Sequence, residues 1–153
     1  MVTQSTTSTA LKIRAANWQD ASNIYAFLCE LEGEALNYTS FRAVFRHNLT
    51  NPSIHYMVAE RDGDVVGFVS CHTQYLLHHC GKVGEIQECF VKPEYRNQKI
   101  GRQLMLAVEA LAYQEGFINL EVTTNQKRQD TIRFYERESF NRTHLKLVKP
   151  IQY

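Results

Sequence analysis

Apolar residues recur along the chain with two periods, and the switches between them predict its elements. Leu11 to Ala15 alternates as a short first strand. Behind Asn17, whose side chain suits a helix N-cap, Trp18, Ala21, Ile24, Tyr25, Leu28 and Leu31 repeat at helical spacing over 18–31. Phe41, Val44, Phe45 and Leu49 make a second helical stripe, with Thr39 placed to cap it. Segments 54–60 and 65–75 are rich in β-branched and aromatic residues, and Asp62-Gly63 between them signals a hairpin. A further strand over 83–91 ends at Lys92-Pro93, because proline cannot donate to a ladder and restricts the residue before it. Segment 100–114 carries Ile100, Leu104, Ala107, Val108, Leu111 and Ala112 on one face and stops at Gly116, a residue suited to a left-handed terminus. A short strand over 119–123, a short helix over 129–138 and a last strand over 143–148 complete the reading.

This order, β-α-α-β-β-β-α-β-α-β without repeat or linker, predicts one domain over 10–153 behind a flexible Ser/Thr-rich tail over 1–9. In 153 residues there is no room for a second catalytic domain. A formal net charge of +1 offers no basic field to gather nucleic acid or anionic membrane. No apolar run reaches the roughly eighteen residues of a membrane span, and the first ten residues lack the pattern of a secretory signal. The cytoplasm is therefore the expected compartment. Cys29, Cys71, Cys80 and Cys89 show neither CxxC spacing nor disulfide-scaffold density, which predicts reduced thiols.

The segment from Phe90 to Arg102 runs from a strand through a tight polar loop into the strongest helix. Unpaired N–H groups in a first helical turn, with the macrodipole behind them, make an anion site, and Arg96, Lys99 and Arg102 add positive charge around it. A diphosphate fits such a corner. The glycines of a Walker loop or of a dinucleotide fingerprint are absent. The segment instead resembles the acetyl-coenzyme A loop of the GNAT N-acetyltransferases, Arg/Gln-x-x-Gly-x-Gly/Ala after a strand ending in Val-x-Pro. Val91, Pro93, Arg96 and Gly101 match it, whereas Lys99 stands where glycine is usual, so its backbone must follow another path or hold a costly conformation.

The resemblance implies a GNAT-type α/β (α+β) fold of three layers. Its sheet is mixed and mostly antiparallel, of six or seven strands with helices on both faces, and splits between the strands over 83–91 and 119–123. Acetyl-coenzyme A is the implied cosubstrate. Its pantetheine arm would bond to the backbone of Cys89, Phe90 and Val91. Its diphosphate would sit among Arg96, Asn97, Gln98, Lys99, Ile100, Gly101 and Arg102, and Asn125 joins the coenzyme-binding set. A non-catalytic acyl-coenzyme A sensor is the alternative from another class.

Acetyl transfer to an amine requires a base to free the nitrogen lone pair and an acid to protonate the leaving thiolate. By resemblance, Tyr135 in Arg133-Phe134-Tyr135 takes the acid position, and a phenol suits it by staying protonated at neutral pH. Glu85 and Glu88 are the candidate bases, and a regular strand would point them to opposite faces. Distance along the strand favours Glu85, although a bulge would reverse the parity. Water relays or His79 are the other candidates.

Further stretches look like the aminoalkylphosphonate N-acetyltransferases of bacterial phosphonate metabolism: Cys29-Glu30-Leu31, Phe41-Arg42 with Asn48-Leu49, His78-His79, Gly84 to Glu88, and Thr124-Asn125 with Lys127-Arg128, Asp130 and Arg133-Phe134-Tyr135. The acceptor implied is a small primary amine carrying a phosphonate, with Arg42, His79, Lys127 and Arg128 as candidate partners of its charge. Polyamines, amino sugars and protein N-termini are the other acceptors. Activity in that subfamily is associated with divalent metal ions, which the sequence permits, but the adjacent His78 and His79 lack the spacing of an intrinsic metal site. The strand over 143–148 could pair with a second copy, which allows a homodimer.

Overall fold

The computed structural model describes residues 10–152, and the tail expected over 1–9 lies outside them. Five strands form one sheet in chain order: β1 (Lys12–Ala15), β2 (Ile54–Arg61), β3 (Asp64–Leu76), β4 (Gly81–Val91) and β5 (Asn119–Val122). Every neighbouring pair is antiparallel except β4 and β5, which run parallel. The helices are α1 (Ala21–Glu32), α2 (Tyr38–Leu49), α3 (Ile100–Glu115) and α4 (Gln129–Arg137).

Local chemistry sets most boundaries. Asn17 accepts the Gln19 N–H while the Asp20 carboxylate returns to the Asn17 N–H, so a short 3-10 turn (Trp18–Asp20) leads into α1. Thr39 does not cap α2. Asn37 does, accepting the Ser40 N–H at 2.8 Å, because its extended backbone starts the helix two residues before Thr39 would. Asp62 and Gly63 both adopt positive φ, as a two-residue hairpin turn of this hand requires. Gly116, at φ 69°, ends α3 in the left-handed conformation.

The helices cover both faces of the sheet. Ile24 and Phe27 of α1 and Phe45 of α2 pack with Val58, Phe68 and Phe90 on one side. Leu104, Met105 and Val108 of α3 and Tyr135 of α4 pack with Ala59, Val69 and Ile86 on the other. Val44, expected within the α2 stripe, is 57% exposed, since Phe45 holds the central position with Phe41 and Leu49 beside it.

The sheet has five strands rather than six or seven. Residues 143–148 keep their apolar alternation but pair with none of the described strands, and a strand needs a neighbouring edge to receive its bonds. Leu145 and Leu147 are consequently 90% and 93% exposed. Two register shifts interrupt the ladders. One lies between Ala59 and Glu60; in the other, Ser70 faces Glu88 while Cys71 faces Ile86, which makes Gln87 an extra, bulged residue of β4.

Candidate active site

Pairing between β4 and β5 ends at Ile86–Val122, yet β4 continues to Val91. Along that stretch β4 keeps β3 on one side and none of the described strands on the other, so the two parallel strands part into a gap. Cys89 and Val91 turn toward the α3 layer, and Phe90 toward α1. Past Pro93–Tyr95, a 3-10 turn, Arg96 folds back on the strand end: its Nε donates to the Val91 carbonyl at 3.0 Å and its guanidinium lies 5.6 Å from the Phe90 ring.

The loop then holds two non-glycine residues in the left-handed region, Asn97 at φ 61° and Lys99 at φ 62°. Asparagine tolerates that conformation; lysine adopts it at a cost, as its place in the loop predicts. Lys99 caps α3 without a side-chain bond, and the first intrahelical bond runs from the Gln103 N–H to its carbonyl at 3.1 Å. The amides of Ile100, Gly101 and Arg102 therefore lack intrahelical partners. Gly101 packs closely on α4: a Cβ there would lie 3.2 Å from the Phe134 ring, which would have to give by a few tenths of an ångström. Arg61 steadies the loop by donating to Gln98 Oε1 at 2.6 Å, and Arg102 pairs with Glu138 at 3.0 Å. Of the three cations, Arg96 and Arg102 are thus partly engaged, and Lys99 points its charge from an exposed position.

Tyr135 is 5% exposed on α4, and its phenol forms a hydrogen-bonded pair with the Cys89 thiol of β4. Burial pushes the phenol's pKa well above the usual tyrosine range, and the adjacent thiol adds to the shift. Burial likewise pushes Cys89 up to about 12, against a smaller lowering by the Tyr135 hydrogen bond. Both groups are therefore protonated near neutrality, and Tyr135 stands ready as a donor beside the gap.

Glu85 and Glu88 do not lie on opposite faces. The Gln87 bulge turns both toward the α1–α2 side, where their register partners His72 and Ser70 also point. Thr123 Oγ1 donates to Glu85 at 3.1 Å across the parting strands. Glu88 is held by Ser70 and borders a cavity of about 80 Å³ whose walls include Ile24, Leu28, Phe41 and Phe68. A larger cleft of about 390 Å³, lined by Ile13, His55, Met57 and Leu111 among others, includes none of these groups.

His79 reaches the same neighbourhood: its Nε2 lies 3.6 Å from Glu121, the register partner of Glu85 on β5, and its Nδ1 is 3.3 Å from Asn119. Glu121 escaped the sequence reading, although polar residues at 119, 121 and 123 alternate with Leu120 and Val122 and so share one face. Asn125 shapes the turn into α4, accepting the Lys127 N–H with its side chain and the Arg128 N–H with its carbonyl, both at 2.9 Å. Arg128 fastens that turn to the end of α1, donating to the Leu31 carbonyl at 3.0 Å and lying 3.6 Å from Glu32. Lys127 beside it is exposed. Arg42 stands apart from this cluster in its contacts, stacked 4.8 Å over Trp18 and 5.6 Å over Tyr38. No group of three or more His, Cys, Asp or Glu side chains able to hold a metal ion occurs among the described residues.

The chain is similar in sequence or in fold to several known proteins. The aminoalkylphosphonate N-acetyltransferase of Salmonella typhimurium is 44% identical over 140 residues, 92% of this chain and 91% of that protein. Two solved structures share the fold: a transcriptional regulator from Bacillus halodurans (TM-score 0.85, 23% identity, 93% of this chain and 100% of that one) and the aminoglycoside N-acetyltransferase AAC(6')-Iy in complex with CoA (TM-score 0.84, 17% identity, 100% of both chains). Residues 14–140 match the acetyltransferase (GNAT) family. With that match and the Salmonella relative, the chain belongs to the GNAT family and is an acetyl-coenzyme A-dependent N-acetyltransferase.

Proposed function

We propose that the chain acetylates the primary amine of a small aminoalkylphosphonate by direct attack, with Glu85 as the base and Tyr135 as the acid. The observation that carries the chemistry is the gap beyond Ile86–Val122, which has the Tyr135 phenol on its α4 side and Glu85 on its α1–α2 side. The unpaired edge over Cys89, Phe90 and Val91 is suited to the pantetheine arm. The loop of Arg96, Asn97, Gln98 and Lys99, with the amides of Ile100, Gly101 and Arg102, is suited to the diphosphate. Asn125, in the turn between β5 and α4, completes the coenzyme-binding set in this reading.

In this reading the acceptor arrives as an ammonium and gives a proton to Glu85, directly or through water. The freed nitrogen attacks the thioester carbonyl carbon, the nitrogen of the tetrahedral adduct gives its second proton to water, the C–S bond breaks as the neutral amide forms, and the thiolate takes the phenol proton of Tyr135; solvent restores that proton and removes the one held by Glu85. The Salmonella relative supports a phosphonate on the acceptor. Arg128, Lys127 and His79 supply positive charge or donors around the α1–α2 side, with Arg42 farther along α2. A thiol-release assay over an amine panel, paired with acetyl-coenzyme A calorimetry, tests the reading. Turnover highest on aminoalkylphosphonates is expected. Activity confined to other amines rejects the acceptor, and coenzyme binding without turnover on any amine favours a sensor.

Free thiols at all four cysteines suit the reducing cytoplasm. A homodimer is supported by the unpaired segment over 143–151, where Leu145, Leu147, Val148 and Ile151 are 69–93% exposed. Sedimentation of the wild type as a monomer at micromolar concentration would exclude it.

A further inference from the structure

A bulge leaves its ladder locally unpaired, so the one at Gln87 needs another group to hold it. Ser70 is that group. At the residue pair where the β3–β4 register shifts, its hydroxyl accepts the Glu88 N–H at 3.0 Å and donates to the Glu88 carboxylate. Ser70 is 0% exposed, so its hydroxyl is out of contact with bulk solvent. A buried hydroxyl is costly unless its bonds are made, and here one residue satisfies both its donor and its acceptor function. Glu88 is correspondingly occupied with β3, whereas Glu85 lies across the gap from Thr123 and beside Glu121.

We propose that Ser70 and Glu88 lock the β4 bulge, and that Glu88 is thereby a positioning residue and not the base. The lock keeps two halves of one strand in phase: Cys89 and Val91 facing α3, Glu85 facing the α1–α2 side. A slip of one residue would reverse every side chain beyond it, taking either the coenzyme edge or Glu85 out of the site. This inference rests on the reading above that Glu85 takes the proton.

The test is the pH dependence of kcat/KM for the wild type, Ser70→Ala, Glu88→Gln and Glu85→Gln on one amine, with thermal melts for fold. In Ser70→Ala the plateau falls about 10- to 100-fold through misplacement, while the midpoint of the acid limb stays where it is. Glu88→Gln retains an oxygen for the Ser70 proton, so its plateau stays within about threefold of wild type and the acid limb persists. Glu85→Gln loses the limb.

Three results overturn the lock: a wild-type plateau in Ser70→Ala, an acid limb moved upward there, or loss of the limb in Glu88→Gln. The second follows if Glu88 is the base, because removing a donor raises a carboxylate's pKa. If Ser70→Ala does not fold, Glu88→Gln decides alone. A wild type inactive on every amine strikes the functional reading instead. The lock is then judged by amide exchange at Glu88, which Ser70→Ala should speed by about tenfold or more, unchanged exchange refuting it.

Discussion

Replacing Tyr135 by Phe removes one oxygen from a side chain that is 5% exposed and leaves its ring contacts with Phe134 (5.1 Å) and Phe140 (5.5 Å) in place. The apolar burial of the ring is unchanged, so the stability at stake is that of one hydrogen bond, to the Cys89 thiol. One such bond contributes about 1 kcal/mol. In a domain of this size that lowers Tm by about 2–4 °C. The loss in turnover is of another order. The wild-type phenol, raised well above its ordinary pKa by burial and by Cys89, remains a proton donor throughout the range in which the enzyme is assayed. Without it the departing thiolate must draw its proton from water, and loss of a positioned acid costs about 10²–10⁴ in rate, or about 3–5 kcal/mol. Thiol release at saturating acetyl-coenzyme A measures kcat, and calorimetry shows whether the coenzyme still binds as before. A kcat within about threefold of wild type in a variant that melts normally would refute Tyr135 as the acid. So would an alkaline limb near pH 8 assigned to this group, because its pKa is shifted up, not down.

Lys99→Gly relieves a left-handed conformation that costs an L-residue about 1–2 kcal/mol, part of which returns as added entropy of the unfolded chain. A gain of up to about 1 kcal/mol in urea unfolding is expected, and a lower midpoint would show that the loop carries no such strain. Asp20 is buried, which by itself would raise its pKa, but the two-pronged Arg14 contact at 2.8 and 2.9 Å and the Asn17 N–H outweigh burial and lower it. A depressed carboxylate pKa stabilises the fold fully above the unfolded value near 4 and loses that contribution as pH falls through the folded value. Asp20→Asn should therefore destabilise the protein by about 2–3 kcal/mol at pH 7, with the difference from wild type closing in acid; a gap that persists unchanged at pH 2 would contradict the assignment.

The elements were legible because their causes are local. The helical repeat from Trp18, the Asp62-Gly63 turn and the stop at Gly116 each depend on a few adjacent residues, and each appears where its pattern predicts. Thr39 misled because Asn37, two residues earlier, offers an equally good cap and the backbone there is already extended. The strand over 143–148 misled for a different reason. Alternation records which residues could line one face, but a strand exists only where another strand receives its hydrogen bonds, and that partner is not encoded in the segment itself.

The site divides along the same line. Tyr135 is singled out by resemblance and the loop from Arg96 to Arg102 by its strand–loop–helix pattern, and the structure buries the phenol on α4 and leads the loop into α3. The orientation of Glu85 against Glu88 could not be read in this way, because it depends on whether an extra residue interrupts β4, and the feature accompanying that interruption is Ser70, on β3, 18 residues away from Glu88 in the chain. Nothing in Gly-Glu-Ile-Gln-Glu by itself distinguishes a straight strand from a bulged one. A buried serine between apolar strand residues is, however, a recognisable anomaly, for it must spend both its hydrogen-bonding functions on something close by. The partner of that serine is the carboxylate opposite it, Glu88, which is thereby tied to β3, and in the proposed mechanism this leaves the proton to Glu85, whose own contact is the Thr123 hydroxyl across the parting strands.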